Sequence, residues 1–186
     1  MTTWALLAPG PSASAEQARI AQEAGFPVGA VGNAFQLVDS PAFIAASDSA
    51  WWRKYPEAKL RGCQTYAMHA VAGCEQVRMP SFGTVNSGVL GLDVAKRLGA
   101  TRILLLGFDM RGTHFFGPYT NGLRNTAAHQ RKQHLQQYER WGRANRAVEV
   151  VNCTPGSALT CFPVARLEEI LETCIPEPAA DECRQG

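Results

Sequence analysis

The sequence predicts an α/β protein: a Rossmann-like three-layer αβα sandwich around a mostly parallel sheet. Three observations carry this. Short apolar runs end in Gly, Pro or Asn, as in WALLAPG and ILLLGFD. Segments with helix caps and a 3.6-residue apolar period lie between them. The two kinds alternate, which implies βαβ crossovers, a parallel sheet and helices on both faces.

WALLA (4–8) is a short strand stopped by Pro9-Gly10-Pro11. Ser14 stands three residues before Gln17, a capping-box spacing that starts a helix running to about Glu23 and stopped by Gly25. PVGAVGN (27–33) is a second strand with Asn33 at its carboxyl end. The stretch 40–56 is expected to be a short helix with Pro41 in its first turn, then a polar turn and the pair Trp51-Trp52, closed by Pro56. Strand-like pieces surround LRGCQTY and EQVRM, without a clear order. Ser87 is expected to cap a helix over Gly88 to Leu98, with Val89, Leu92, Val94, Ala95 and Leu98 as its apolar face. Arg102 to Phe108 is the strongest strand. A Gly-rich aromatic loop (111–125) leads to a long polar helix over 126–146, anchored by Leu135, Tyr138 and Trp141. VEVVNCT (148–154) is the last strand and RLEEILETC the last helix. One domain, 1–175, is expected, with residues 176–186 as a flexible tail.

At 186 residues the chain can bury a substantial core. A formal net charge of +2 gives no overall field pointing to nucleic acid, and no apolar run reaches membrane-spanning length. The opening MTTWALLAPGPSAS does not read as a secretory leader, so a cytoplasmic protein is expected. The six cysteines lack CxxC spacing and are read mainly as buried thiols. Nothing specifies an oligomeric state.

Ligands of open parallel sheets bind beyond the carboxyl ends of the strands. Gly10, Pro11 and Ser12 follow the first strand and precede a helix amino terminus, where free amides hold anions. They match neither GxGxxG nor GxxxxGK[ST]. Asn33 offers donor and acceptor to a base or ribose. Ser47, Asp48 and Ser49 put small hydrogen-bonding groups beside two indoles, which are expected to serve packing. Asn86, Ser87 and Gly88 open a helix where Gly permits close approach of a phosphate. Gly107 and Asp109 end the strongest strand, with Asp109 suited to ribose hydroxyls or a divalent ion. Each of these is equally legible as a turn or cap. His114, in the long loop, has the titration range of a general base. His129 and His134, five apart, do not share a helical face, which argues against a metal site.

The ordered series LAPGPSAS, VGN, SDSAWW, TVNSGVLGLDVAKRLGATRILLLGFDM and VNCTPGSALTCFP resembles small phage and prophage proteins of unassigned role. More distantly it resembles the bacterial sialyltransferase-like superfamily, which includes the archaeal pterin diphosphokinase-like domains. That resemblance implies a cytidine nucleotide held by Gly10, Pro11, Ser12, Asn33, Asn86, Ser87, Gly88, Gly107 and Asp109, with Asn152, Ser157 and Pro163 as a closing segment. It also implies a catalytic His and Tyr from a lid, for which His114, Tyr119 and His129 are the candidates. The first loop here reads PGPS where the family often has GNGPS.

The function expected is binding of a nucleotide or nucleotide sugar by a phage protein in its host's cytoplasm, with metal-independent glycosyl transfer as the activity. A non-catalytic nucleotide-binding or virion-assembly accessory protein is the alternative. Phosphotransfer, with a divalent ion near Asp109, is a third. No resident cofactor or metal is firmly implied beyond the nucleotide ligand.

Overall fold

A computed structural model describes residues 1–174. One seven-stranded sheet runs through it: β1 (Thr3–Leu7), β2 (Val28–Val31), β3 (Phe43–Ala46), β4 (Gln64–Ala67), β5 (Glu75–Gln76), β6 (Arg102–Leu106) and β7 (Glu149–Asn152). The order is β5-β4-β3-β2-β1-β6-β7 and every pairing is parallel. β1 and β6 form the centre, pairing from Thr3 with Arg102 to Leu7 with Leu106. Both are apolar runs because a central parallel strand is covered on both faces.

The sheet separates two apolar layers. On one face Leu6, Phe43, Ile103 and Leu105 pack under α3 (Ser87–Arg97) and α4 (Ala128–Ala144), meeting Leu90, Leu92, Tyr138 and Trp141. On the other, Leu7, Ile44, Leu104 and Leu106 meet α1 (Ala15–Glu23), α2 (Ser49–Lys54) and α5 (Leu167–Cys174) through Ala18, Ala21, Trp52, Leu167 and Ile170. This is the three-layer sandwich expected, with the sheet wholly parallel among the described residues. A short 3-10 turn, Gly32–Gln36, replaces a helix between β2 and β3, and a second, Pro56–Leu60, follows α2 between β3 and β4. No helix among the described residues is long and apolar enough to cross a membrane.

Several local readings differ from expectation. Residues 43–46 are a buried strand, not part of a helix beginning at Pro41. Phe-Ile-Ala-Ala is too short an apolar run for periodicity to decide, and pairing with β2 and β4 on either side decides it. The helix in that stretch starts six residues later than Phe43, behind Asp48, whose carboxylate accepts the Ala50 amide at 2.8 Å. Asn86, not Ser87, caps α3: its Oδ1 accepts the Gly88 and Val89 amides at 2.9 and 3.1 Å. Ser87 becomes the first helical residue. The Ser14–Gln17 capping box forms as expected. Of the cysteines with described side chains only Cys153 is buried; Cys63 and Cys74 are half-buried and Cys161 is exposed. The tail expected over 176–186 lies outside the described residues.

Candidate functional site

Strand order reverses between β1 and β6, so the switch-point crevice opens beyond Leu7 and Leu106. The first loop and the end of β6 meet there, and they bind each other. Asp109, only 3% exposed, accepts from the Ser12 amide at 3.2 Å and the Ser12 hydroxyl at 2.8 Å through Oδ2. The Gly10 amide donates to the Gly107 carbonyl at 3.0 Å, and Ala8 donates to Leu106 at 2.8 Å. A Cβ on Gly10 would lie 2.2 Å from Asp109 Oδ2 and 2.3 Å from the Gly107 carbonyl oxygen. Gly107 has φ +68°, and a Cβ there would lie 2.4 Å from the Ala8 carbonyl oxygen. These glycines therefore allow two loops to close on each other. Pro11 is exposed on the outer side, beside Gly112.

The segment after β7 supports the same junction from beneath. Thr154 Oγ1 accepts the Phe108 amide at 3.0 Å and the Ser157 hydroxyl donates to the Phe108 carbonyl at 2.6 Å. Asn152 donates to the Leu159 carbonyl through Nδ2 and accepts the Thr154 amide through Oδ1, while Pro163 accepts the Asn152 amide. Of the expected closing segment, Ser157 thus holds the residues after β6 directly, while Asn152 and Pro163 brace the segment after β7 that carries it.

A second group of polar side chains collects where β2, β3 and the start of α3 converge. Ser87 Oγ accepts the Ser47 amide at 3.0 Å, tying the α3 amino terminus to the end of β3. The Ser47 side chain itself is 8% exposed, and its hydroxyl has no hydrogen-bond partner among the described residues. Such a group costs about 1–3 kcal/mol if left dry. Asn86 is saturated by contrast: besides the two helix amides, its Oδ1 accepts the Tyr138 hydroxyl at 2.9 Å, and its Nδ2 donates to Gln137 Oε1 at 2.9 Å. Gly88 is required by that packing, because a Cβ would lie 1.9 Å from Tyr138 Oη.

Asn33, 1% exposed, accepts from Trp51 Nε1 and from the Tyr119 hydroxyl, both at 2.7 Å, through Oδ1. Both bonds fix the amide so that Nδ2 is its remaining donor. Trp51 packs edge-on to Trp52 at 4.9 Å, so the indole pair serves packing and supplies this one polar contact.

The loop between β6 and α4 crosses this region. It leaves Asp109 through Met110, which has φ +53°, a conformation uncommon for a side chain of this kind. The Phe115 amide donates to the Pro9 carbonyl at 3.1 Å, and Asn121 Nδ2 donates to the Tyr55 hydroxyl at 2.9 Å. His114 lies half-buried, stacked on Phe116 at 4.9 Å and 2°, with Tyr119 4.6 Å away. Its Nδ1 lies 3.3 Å from the Gly117 carbonyl, which selects the tautomer protonated there and leaves Nε2 as an acceptor. Burial lowers the His114 pKa, so the neutral form prevails at pH 7. Burial, reinforced by the nearby Tyr55 and Asp48, pushes the Tyr119 hydroxyl upward and keeps it protonated.

The fold thus brings together Asn33, Ser47, Ser87, His114 and Tyr119, and it gathers Gly10, Ser12, Gly107 and Asp109 into a separate closed junction. Asp48 caps α2 and is exposed, and His129 is exposed on the first turn of α4. Among the described residues no group of three or more His, Cys, Asp or Glu is placed to hold an ion. Sequence reasoning missed the Asn121–Tyr55 tether, since partners 66 positions apart leave no local signal. Two grooves of about 470 and 400 Å3 lie away from this site, along α4. No protein-family model matches this chain, and neither a curated protein nor a solved structure does.

Proposed function

We propose that the crevice bounded by Asn33, Ser47, Ser87 and the 110–127 loop binds a nucleotide or nucleotide sugar. The carrying observation is the buried, unpartnered Ser47 hydroxyl beside Ser87 at the start of α3. A phosphate there gains the Ser47 and Ser87 hydroxyls and the positive end of the eleven-residue α3. Asn33 Nδ2 supplies the donor for a base or ribose oxygen. The Ser12 loop is not the phosphate site in this reading, because the Asp109 carboxylate already takes its donors.

As a transferase, the protein moves a glycosyl group from the nucleotide to an acceptor hydroxyl. The bond from the anomeric carbon to the phosphate oxygen breaks, the acceptor oxygen bonds that carbon, and the acceptor proton passes to His114 Nε2. The α3 amino terminus and the two serine hydroxyls stabilise the departing phosphate. The neutral His114, with Nε2 unprotonated, supports this role. A phage-encoded enzyme of the sialyltransferase-like kind, working in a host cytoplasm, is the biological form of the proposal.

A second reading, a non-catalytic nucleotide-binding or virion-assembly accessory protein, is favoured by one observation. The Tyr119 hydroxyl is already donated to Asn33, so one of the candidate catalytic groups is engaged within the fold. A thermal-shift panel of nucleotides and nucleotide sugars tests both readings, since a ligand at a hundred times its dissociation constant adds about 2.7 kcal/mol of stability. The expected result is a shift with at least one cytidine or other nucleotide. No shift with any member rejects both readings. Release of free nucleotide from the ligand that binds separates enzyme from binder.

A further inference from the structure

The net charge of +2 hides a strong asymmetry. Residues 111–146 contain seven Arg and Lys and a single acidic residue, Glu139. The rest of the chain carries eleven basic and fifteen acidic residues. The basic segment is the 110–127 loop and α4, and the structure shows where it faces.

Exposed His129, Lys132, Gln133, Gln136, Arg140 and Arg143 recur at helical spacing and form the outer face of α4. Apart from Ala144, that face holds no aliphatic or aromatic side chain. Arg131 spans from α4 to the Gly112 carbonyl at 2.9 Å, which joins the helix to the loop beside Arg111. Of the seven cations only Arg143 forms an ion pair among the described residues, with Glu139. The two grooves run side by side along α4 and share Glu139 and Cys161; Lys132 edges one, Arg143 and Arg146 the other. Their two carboxylates are both neutralised, Glu139 by Arg143 and Glu149 by Arg102 at 3.3 Å. Among the described residues the unpaired charges that edge the trench are therefore both cations, Lys132 near the start of α4 and Arg146 just past its end, on a helix about 25 Å long for its seventeen residues.

At the loop end stands Phe116, 38% exposed and lying flat against His114. Phe115 meets the same ring edge-on at 5.0 Å and Tyr119 lies 5.3 Å from it, so Phe116 is the exposed member of an aromatic group. Cations without ion-pair partners along a helix, and an exposed aromatic ring in the loop that Arg131 ties to that helix, are the combination that holds a single nucleic-acid strand, phosphates on the cations and a base on the ring.

We propose that the outer face of α4 and the Phe116 loop form a binding surface for single-stranded nucleic acid. This rests on charge and aromatic placement, not on occupancy of the crevice. Fluorescence anisotropy with a labelled oligothymidylate of roughly 20 nucleotides, from about 50 to about 200 mM salt, tests it. Expected is binding that weakens on the order of tenfold or more across that range. Replacing Arg124, Lys132 and Arg146 together by Ala should weaken binding and flatten the salt dependence. Phe116→Ala should weaken single-strand binding more than duplex binding. Lys132 and Arg146 lie outside the crevice contacts, so the nucleotide thermal shift of a variant with only those two replaced should match the parent and report an intact fold; Phe116 and Arg124 belong to the loop that bounds the crevice, and the melting temperature of the unliganded protein reports the folding of their variants. No salt-dependent binding at the lowest salt, or undiminished binding by the triple variant, overturns the proposal. A preference for duplex that Phe116→Ala leaves untouched overturns the single-strand assignment.

Discussion

Asp109, at the end of the central strand β6, closes on Ser12 in the loop after β1, accepting both its amide and its hydroxyl. A carboxylate from the chain itself thus occupies the donors that a phosphate would use in a nucleotide-binding loop of this kind. Asp109→Ala should cost about 1.5–3 kcal/mol, the range for a hydrogen bond to a charged group. Urea unfolding measures it. A loss of nucleotide affinity with unchanged stability would show instead that Asp109 serves a ligand.

The unpartnered Ser47 hydroxyl separates function from stability. Ser47→Ala removes a buried polar group that makes no bond among the described residues, so the unliganded protein should melt at the same temperature or slightly higher. The nucleotide-induced shift should shrink. A variant that keeps the full shift takes Ser47 out of the site.

Gly88 and Tyr138 are coupled sterically. Gly88→Ala drives a Cβ to within 1.9 Å of Tyr138 Oη and should cost about 1–3 kcal/mol. In a Tyr138→Phe background that oxygen is gone and the penalty should fall. A double-mutant cycle reads the coupling, and strict additivity would contradict the packing described.

Tyr119→Phe removes the hydroxyl that Asn33 Oδ1 accepts, for about 0.5–1.5 kcal/mol of stability. It also frees one acceptor site on Asn33. Nucleotide affinity should therefore change along with stability, and a thermal-shift titration that moves in neither respect would mean the loop is not latched there.

Burial lowers the pKa of His114 and of His134 below 6.5. The unfolded chain then takes up protons first as pH falls. The stability that the neutral imidazoles contribute is complete above about pH 6.5 and declines as pH falls below it toward the lowered folded values. Melting temperatures across pH 5 to 8 should show this decline, and His114→Gln with His134→Gln should flatten it. In the transferase reading turnover rises with pH through the lowered His114 pKa.

Much of the framework was legible because it depends on local chemistry. β1 and β6 are continuous apolar runs ended by Pro-Gly and Gly, and α1 carries its capping box in four consecutive residues. The strand Phe43–Ala46 was not legible, since four apolar residues after a proline suit a helix until β2 and β4 claim their hydrogen bonds. The candidate site was half legible. Polar residues at the strand ends could be picked out, but Asn86 and Ser87 exchange roles because the cap is settled by which side chain reaches the Gly88 and Val89 amides.

The sequence by itself determined the layered α/β architecture, the ends of the main strands and the set of polar residues near one edge of the sheet. Those follow from hydrophobic period, caps and turn residues, all of which act within a few positions. Only the tertiary structure decided which of those polar residues are spent on one another. Asp109 and Ser12 are 97 positions apart, Tyr119 and Asn33 are 86, and no local rule couples such pairs. Ser47 was left without a partner by the same packing, because the hydroxyl that meets its amide belongs to Ser87, 40 residues away.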